Sequence, residues 1–214
     1  VVSIPDYGPY TETITIGDVD YDFGDVVLPQ QDMYPPSNLQ YTETMPNNVH
    51  LTWDAPVDPN AMFIGYDDGE NFDGIGTGGA LVWASIRWDA GDLSAYDGMY
   101  LTTLDFFPRE VSTATIYVWT GANASTMVLE QATDVTADAW NSIALDTPVE
   151  INSSEELWIG YSANGAYPLG CDAGPAVAGY GDMVSLDGAT WESMANAYGL
   201  DYNWNMQCAL STGL

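Results

Sequence analysis

The sequence predicts an all-β fold: a jelly-roll-like antiparallel β-sandwich with an N-terminal extended arm. Three observations predict it. Short runs rich in Val, Ile, Thr, Tyr and Trp recur, separated by Gly, Pro, Asn and Asp. Several alternate, as Ile116 and Val118 do against Tyr117 and Trp119, which is the period of a pleated strand. Helix signals are almost absent: "DLSAYDG" at 92–98 reads as a helical turn, too short to change the class. The chain has 214 residues, 46% apolar and 13% aromatic, enough to build a sizeable core.

Three segments follow in order. Residues 1–36 are a Pro- and Asp-bearing arm. Within it, "TETITIG" has strand character, and "GDVDYDFGD" alternates Asp18, Asp20 and Asp22 with Val19, Tyr21 and Phe23. The bland reading is an amphipathic strand. The sharper one, a D-x-D-x-D calcium loop, wants glycine at its sixth position and meets Phe23 there. A strand that precedes the folded body is suited to adding to a neighbour's sheet edge. Thr13, Ile14, Ile16, Val19, Tyr21 and Phe23 are the side chains such an arm would donate. Residues 37–60 read as a β-hairpin turning at "PNN" and packed on the body. Residues 61–214 carry the runs "ALVWASIRW", "YLTTLDFF", "ATIYVWT", "NSIAL" and "ELWIGYS", and are expected to form the sandwich.

The stretch "GYDDGENFDGIGTGG" places Gly74, Gly76 and Gly79 at G-x-G-x-x-G spacing. A dinucleotide loop needs a helix after it, to meet the pyrophosphate with its N-terminus. The segment that follows, "ALVWASIRW", has no helical period, and nearby carboxylates would repel phosphate. The nucleotide reading fails. Asp67, Asp68, Glu70 and Asp73 are instead candidate calcium ligands, the alternative being a solvated acidic turn.

Charge bounds the partners. There are 31 Asp and Glu against two cations, Arg87 and Arg109, for a formal net charge of −29. Nucleic acid and anionic membrane are excluded, since binding a phosphate surface needs cations. Self-repulsion calls for salt, divalent cations or an outside partner. The absence of lysine removes Schiff-base and P-loop chemistry. One histidine, His50, cannot build a multi-His metal site.

Cys171 and Cys208 read as one disulfide of an oxidising compartment, worth about 3–4 kcal/mol, or else as two buried thiols. Trp191, Tyr198, Asp201, Tyr202 and Trp204 form a candidate glycan-binding group, because aromatic faces beside carboxylates stack and bind sugars; the alternative is that they close one end of the sandwich. No G-x-S-x-G elbow supports a catalytic triad, and with 31 acids no carboxylate pair is informative, so no catalytic residue is assigned.

Several phrases agree in order with a known module: "YDDGENFDGIGTGG", "LSAYDGMYLTTLDFFP", "ATIYVWTGANASTMVLEQ", "DAWNSIALDTPVEINSSEELWIGYS", "YPLGCDAGPAVAGYGDMVSLDGATWESM" and "YGLDYNWNMQC". They resemble the β-sandwich module appended to secreted peptidases and adhesins of Bacteroidetes-like bacteria, a neighbour of the cleaved-adhesin (hemagglutinin) jelly rolls. "PPSNLQYTETMPNNVHLTWDAP" looks like the first two strands of a fibronectin type III domain. The resemblance implies a non-catalytic protein outside the cell or on a bacterial surface. The expected function is structural or adhesive, with copies of itself or surface glycans and proteins as partners and calcium as the one candidate cofactor. A carbohydrate-binding accessory module of a secreted hydrolase or peptidase is the alternative.

Overall fold

The computed structural model describes residues 37–45, 48–54 and 62–213; the expected arm, including Thr13 to Phe23, lies outside the described residues. The chain divides into two units, Val1–Asn60 and Ala61–Leu214. In the first, β1 (Ser37–Met45) and β2 (Asn48–Asp54) pair antiparallel, with Met45 opposite Asn48 and Thr42 opposite His50. This is the expected hairpin.

The second unit is the jelly-roll-like sandwich that the alternating runs imply. Its strands are β3 (Met62–Gly65), β4 (Asp73–Ile75), β5 (Leu81–Trp88), β6 (Tyr100–Phe106), β7 (Thr113–Thr120), β8 (Thr126–Asp134), β9 (Asn141–Glu150), β10 (Leu157–Asn164), β11 (Leu169–Cys171), β12 (Met183–Ser185), β13 (Glu192–Ser193) and β14 (Met206–Ser211). A six-stranded sheet runs β13-β12-β5-β10-β7-β8, a four-stranded one β3-β14-β6-β9, and β11 pairs with β4. The chain keeps changing sheets: β5, β7, β8 and β10 lie in the first, while β6, β9 and β14 lie in the second. Long crossings of this kind bury two inner faces at once.

Period-2 alternation sets the core. Val82, Ala84 and Ile86 of β5, Ile116 and Val118 of β7, and Ile159 and Tyr161 of β10 face Leu101, Leu104 and Phe106 of β6 and Met206, Cys208 and Leu210 of β14, all buried in one cluster. Phe106 and Tyr161 meet across it with ring centroids 4.4 Å apart. Gly160 lies where β10 runs against β5; a Cβ there would collide with the Ala84 carbonyl.

The outer face of the six-stranded sheet is also apolar. Trp119, Trp158 and Met183 are buried there, with Trp83, Tyr117 and Trp191 packed against them. Arg87 lies over Trp158 and Tyr180, 5.1 and 4.8 Å from the ring centroids, and pairs with Asp89 and Glu156 at 2.7 and 3.4 Å. The two sides of the sandwich differ. On one, Gln131 of β8 donates Nε2 to the Ala144 carbonyl and accepts from the Asp146 amide, so that its side chain takes up two main-chain groups in the middle of β9. On the other, β3 pairs with β14 and with no second strand among the described residues.

The expected turn near 92–98 is a short 3₁₀ helix, Ser94–Tyr96. A five-residue helix, α1 (Met194–Tyr198), was not foreseen; Ser193 caps it by accepting from the Asn196 amide, and Gly199 closes it at φ 70°.

Candidate functional site

The stretch 65–79 forms a pinned turn followed by the lip of a cleft. Asp67 and Asp68 close turns on the amides of Gly69 and Glu70, at 3.1 and 3.0 Å. Asn71 donates to Asn205 Oδ1 at 2.8 Å, and Asn205 donates to the Glu70 carbonyl at 3.0 Å. Asp73 accepts from Arg109, which also meets Asp138, each at 3.2 Å. Among the described residues no three His, Cys, Asp or Glu side chains converge as cation ligands. The four candidate calcium ligands are therefore found in two turns, an ion pair and, for Glu70, on the exposed surface.

Burial lifts the Asp67 carboxyl to about 6, against the pull of the Gly69 amide and Asn205. Its folded value lies above the unfolded 3.8, so folding disfavours the charged form. The stability this group contributes is complete below 3.8 and is lost as pH rises through about 6. In urea titrations across that window, Asp67→Asn should match the parent at acid pH and become the more stable protein above it. Equal stability at every pH would show that the carboxyl is not desolvated.

Beyond the turn, Gly76 and Thr77 join Ile75, Val82, Val184, Leu186, Met194, Tyr198 and Leu200 around an apolar cleft of about 220 Å³. Gly76 is required: a Cβ there would strike the Ala166 carbonyl and Pro168. Gly78 and Gly79, at φ +76° and +123°, let the chain turn into β5. The G-x-G-x-x-G spacing thus has a steric cause, and the strand after it excludes the helix that a dinucleotide requires.

A second concavity, a groove of about 450 Å³, crosses the ends of β5, β7, β8 and β10. Thr113, Thr115, Thr133, Asp134, Ser162 and Asn164 contribute hydroxyl, carboxylate and amide groups to a lining that Leu81, Ala114, Ala132 and Ala163 make largely apolar. Sequence reading missed both concavities, because each joins strands far apart in the chain.

The five residues of the expected glycan-binding group do different things. Trp204 is fully buried and donates its indole N–H to the Met183 carbonyl at 2.7 Å; it is a core residue and is removed from the group. Trp191 packs on Trp119 and Trp158, with centroids 5.2 and 5.5 Å away. Tyr198 is exposed on the cleft rim and donates to Glu192. Asp201 accepts from the Ala176 amide, and the Tyr202 ring lies 5.8 Å from Phe72.

The expected disulfide is corrected: Cys171 and Cys208 are free and buried. Cys208 sits in β14 between Leu104 and Ile64, whereas Cys171 sits in β11 opposite Asp73. Desolvation pushes Cys171 up to about 12 and Cys208 well above an ordinary thiol, so both stay protonated and pack as small apolar groups.

No family model matches the chain, and no curated protein matches it. Among solved structures, the chain is similar to the structure of infectious bursal disease virus Gt strain, at 11% identity and TM-score 0.27, over 79% of this chain and 41% of that one. It is also similar to T=1 particles derived from infectious bursal virus, at 14% identity and TM-score 0.27, over 87% and 44%. The chain spans less than half the length of either, and likeness at this level carries no argument.

Proposed function

We propose that this chain is a non-catalytic structural or adhesive β-sandwich protein of the bacterial exterior. It joins copies of itself by adding the strand-like stretch of residues 11–23 to a neighbour's sheet edge. The observation that supports this reading is the asymmetry of the sandwich. Gln131 bonds two main-chain groups in the middle of the β9 edge, whereas β3 is a short edge strand with Phe63 51% exposed and no second strand partner among the described residues. Natural sheets blunt such edges with charge or proline, and an apolar edge invites pairing. Main-chain hydrogen bonds suit a chain with 31 acids, because they add affinity without requiring opposite charge.

Negative-stain microscopy and sedimentation test the proposal. The full chain should form fibres or sheets in salt. Deleting residues 1–30, or placing Phe63→Asp on β3, should leave folded monomers. Normal polymerisation by the truncated chain would end the strand-addition reading.

One observation favours a second reading, a carbohydrate-binding accessory module: the groove over β5, β7, β8 and β10 sets hydroxyl and amide groups in an apolar lining and has the volume of a small-ligand site. A glycan array would separate the two. Binding lost on Ser162→Val or Asp134→Ala, by a chain that stays monomeric, would favour the module.

A further inference from the structure

We propose that the end of the sandwich carrying Phe72 and Trp140 docks an arginine- or lysine-rich segment of a different protein. The patch is aromatic first. Phe72 is 60% exposed and Trp140 37% exposed. The Phe72 ring lies against Tyr202, at 5.8 Å, and Trp140 meets Phe107 edge-on, with centroids 6.0 Å apart and planes at 83°. Exposed aromatic rings backed by further rings make a rigid apolar surface, not isolated surface residues.

The patch is also held in place. The Trp140 indole N–H donates to the Gly69 carbonyl at 3.2 Å, and the Asn71–Asn205 bonds fix the turn between Gly69 and Phe72. Asp68 and Glu70, both exposed, flank Gly69. The short segment that joins the Trp140 hydrogen-bond partner, Gly69, to Phe72 therefore carries two exposed acids.

Charge complementarity selects the occupant. A guanidinium or ammonium group is drawn both to a ring face and to a carboxylate. The protein already uses this pairing internally, where Arg87 lies over Trp158 and Tyr180 and meets Asp89 and Glu156. A second copy of the chain cannot be the guest here. It has no lysine, and both of its arginines are engaged in ion pairs, Arg87 with Asp89 and Glu156, Arg109 with Asp73 and Asp138. The guest is a basic partner distinct from the self-assembly contact at β3.

Calorimetric titration of the full chain with a peptide of alternating arginine and glycine tests this. Saturable binding that weakens at higher salt is expected. Phe72→Leu with Trp140→Leu keeps apolar bulk but removes both ring faces, and should weaken binding about tenfold or more. Phe72→Leu alone, at an exposed position that should not disturb folding, should weaken it measurably. Asp68→Asn with Glu70→Gln should weaken it and flatten the salt dependence, whereas Glu130→Gln on β8 with Glu150→Gln at the far end of β9, both exposed, should leave it unchanged. The proposal is overturned if the peptide does not saturate, or if the leucine variants bind like the parent. It is equally overturned if the Glu130 and Glu150 pair weakens binding as much as Asp68 and Glu70 do, which would mean diffuse charge attraction.

Discussion

Trp204→Ala is expected to lower the unfolding free energy by about 3–5 kcal/mol, the range for deleting a large buried aromatic. Trp204 is fully buried beside Cys171, to which its backbone bridges, just before β14 enters the four-stranded sheet. Truncation removes that volume where a close-packed interior relaxes only partly. It also strips the Met183 carbonyl of its indole donor, 2.7 Å away. Trp204→Phe separates the two contributions: it restores most of the ring volume but not the N–H, and should lose about 1–3 kcal/mol. Urea unfolding with an unchanged slope is the measurement. If Trp204→Ala unfolds within about 1 kcal/mol of the parent, the indole is not in the core.

The same residue shows where sequence reading stops. "DYNWNMQ" looks like a loop, and an aromatic among Asp and Asn looks like a sugar platform. Burial of Trp204 is set by the antiparallel bridge to Cys171 and by Met183, 21 positions away, neither of which leaves a local pattern. The central strands were legible, because each is a run of β-branched and aromatic residues of strand length bounded by Gly, Pro, Asn or Asp. Which face pointed inward was less so: on β7, Ile116 and Val118 enter the core while Tyr117 and Trp119 join the outer aromatic layer, and both sets are apolar. The Asp67–Asp73 stretch was legible as a turn. That Arg109 pairs with Asp73 across 36 positions was not. The cysteines, 37 apart in sequence, gave no sign of lying in different sheets. Helix α1 did leave a signal, the Ser193 cap and Gly199 terminator in "SMANAYG", but five residues are too few for a hydrophobic period to form.

Asp182→Ala is expected to be comparably damaging, at about 3–5 kcal/mol, through a different physical route. Asp182 has no solvent exposure, and its carboxylate accepts three bonds: from the Gly179 amide at 2.6 Å, from Ser193 Oγ at 2.6 Å and from the Ala195 amide at 2.9 Å. Those donors belong to the loop before β12, to the cap of α1 and to its first turn. A single side chain thereby fixes the wall of the apolar cleft to which Met194 and Tyr198 contribute. Alanine leaves three donors facing a void. Asp182→Asn keeps the shape but turns one N–H₂ toward a backbone N–H that cannot accept, whichever way the amide is oriented. It should lose less than alanine, about 1–3 kcal/mol, and still loosen α1. Amide exchange distinguishes this from general destabilisation: protection at Gly179, Ala195 and Asn196 should fall first, while that of β10 and β14 follows global stability. Should asparagine and alanine prove equally mild, or should exchange rise uniformly, the carboxylate is not what joins the loop to the helix.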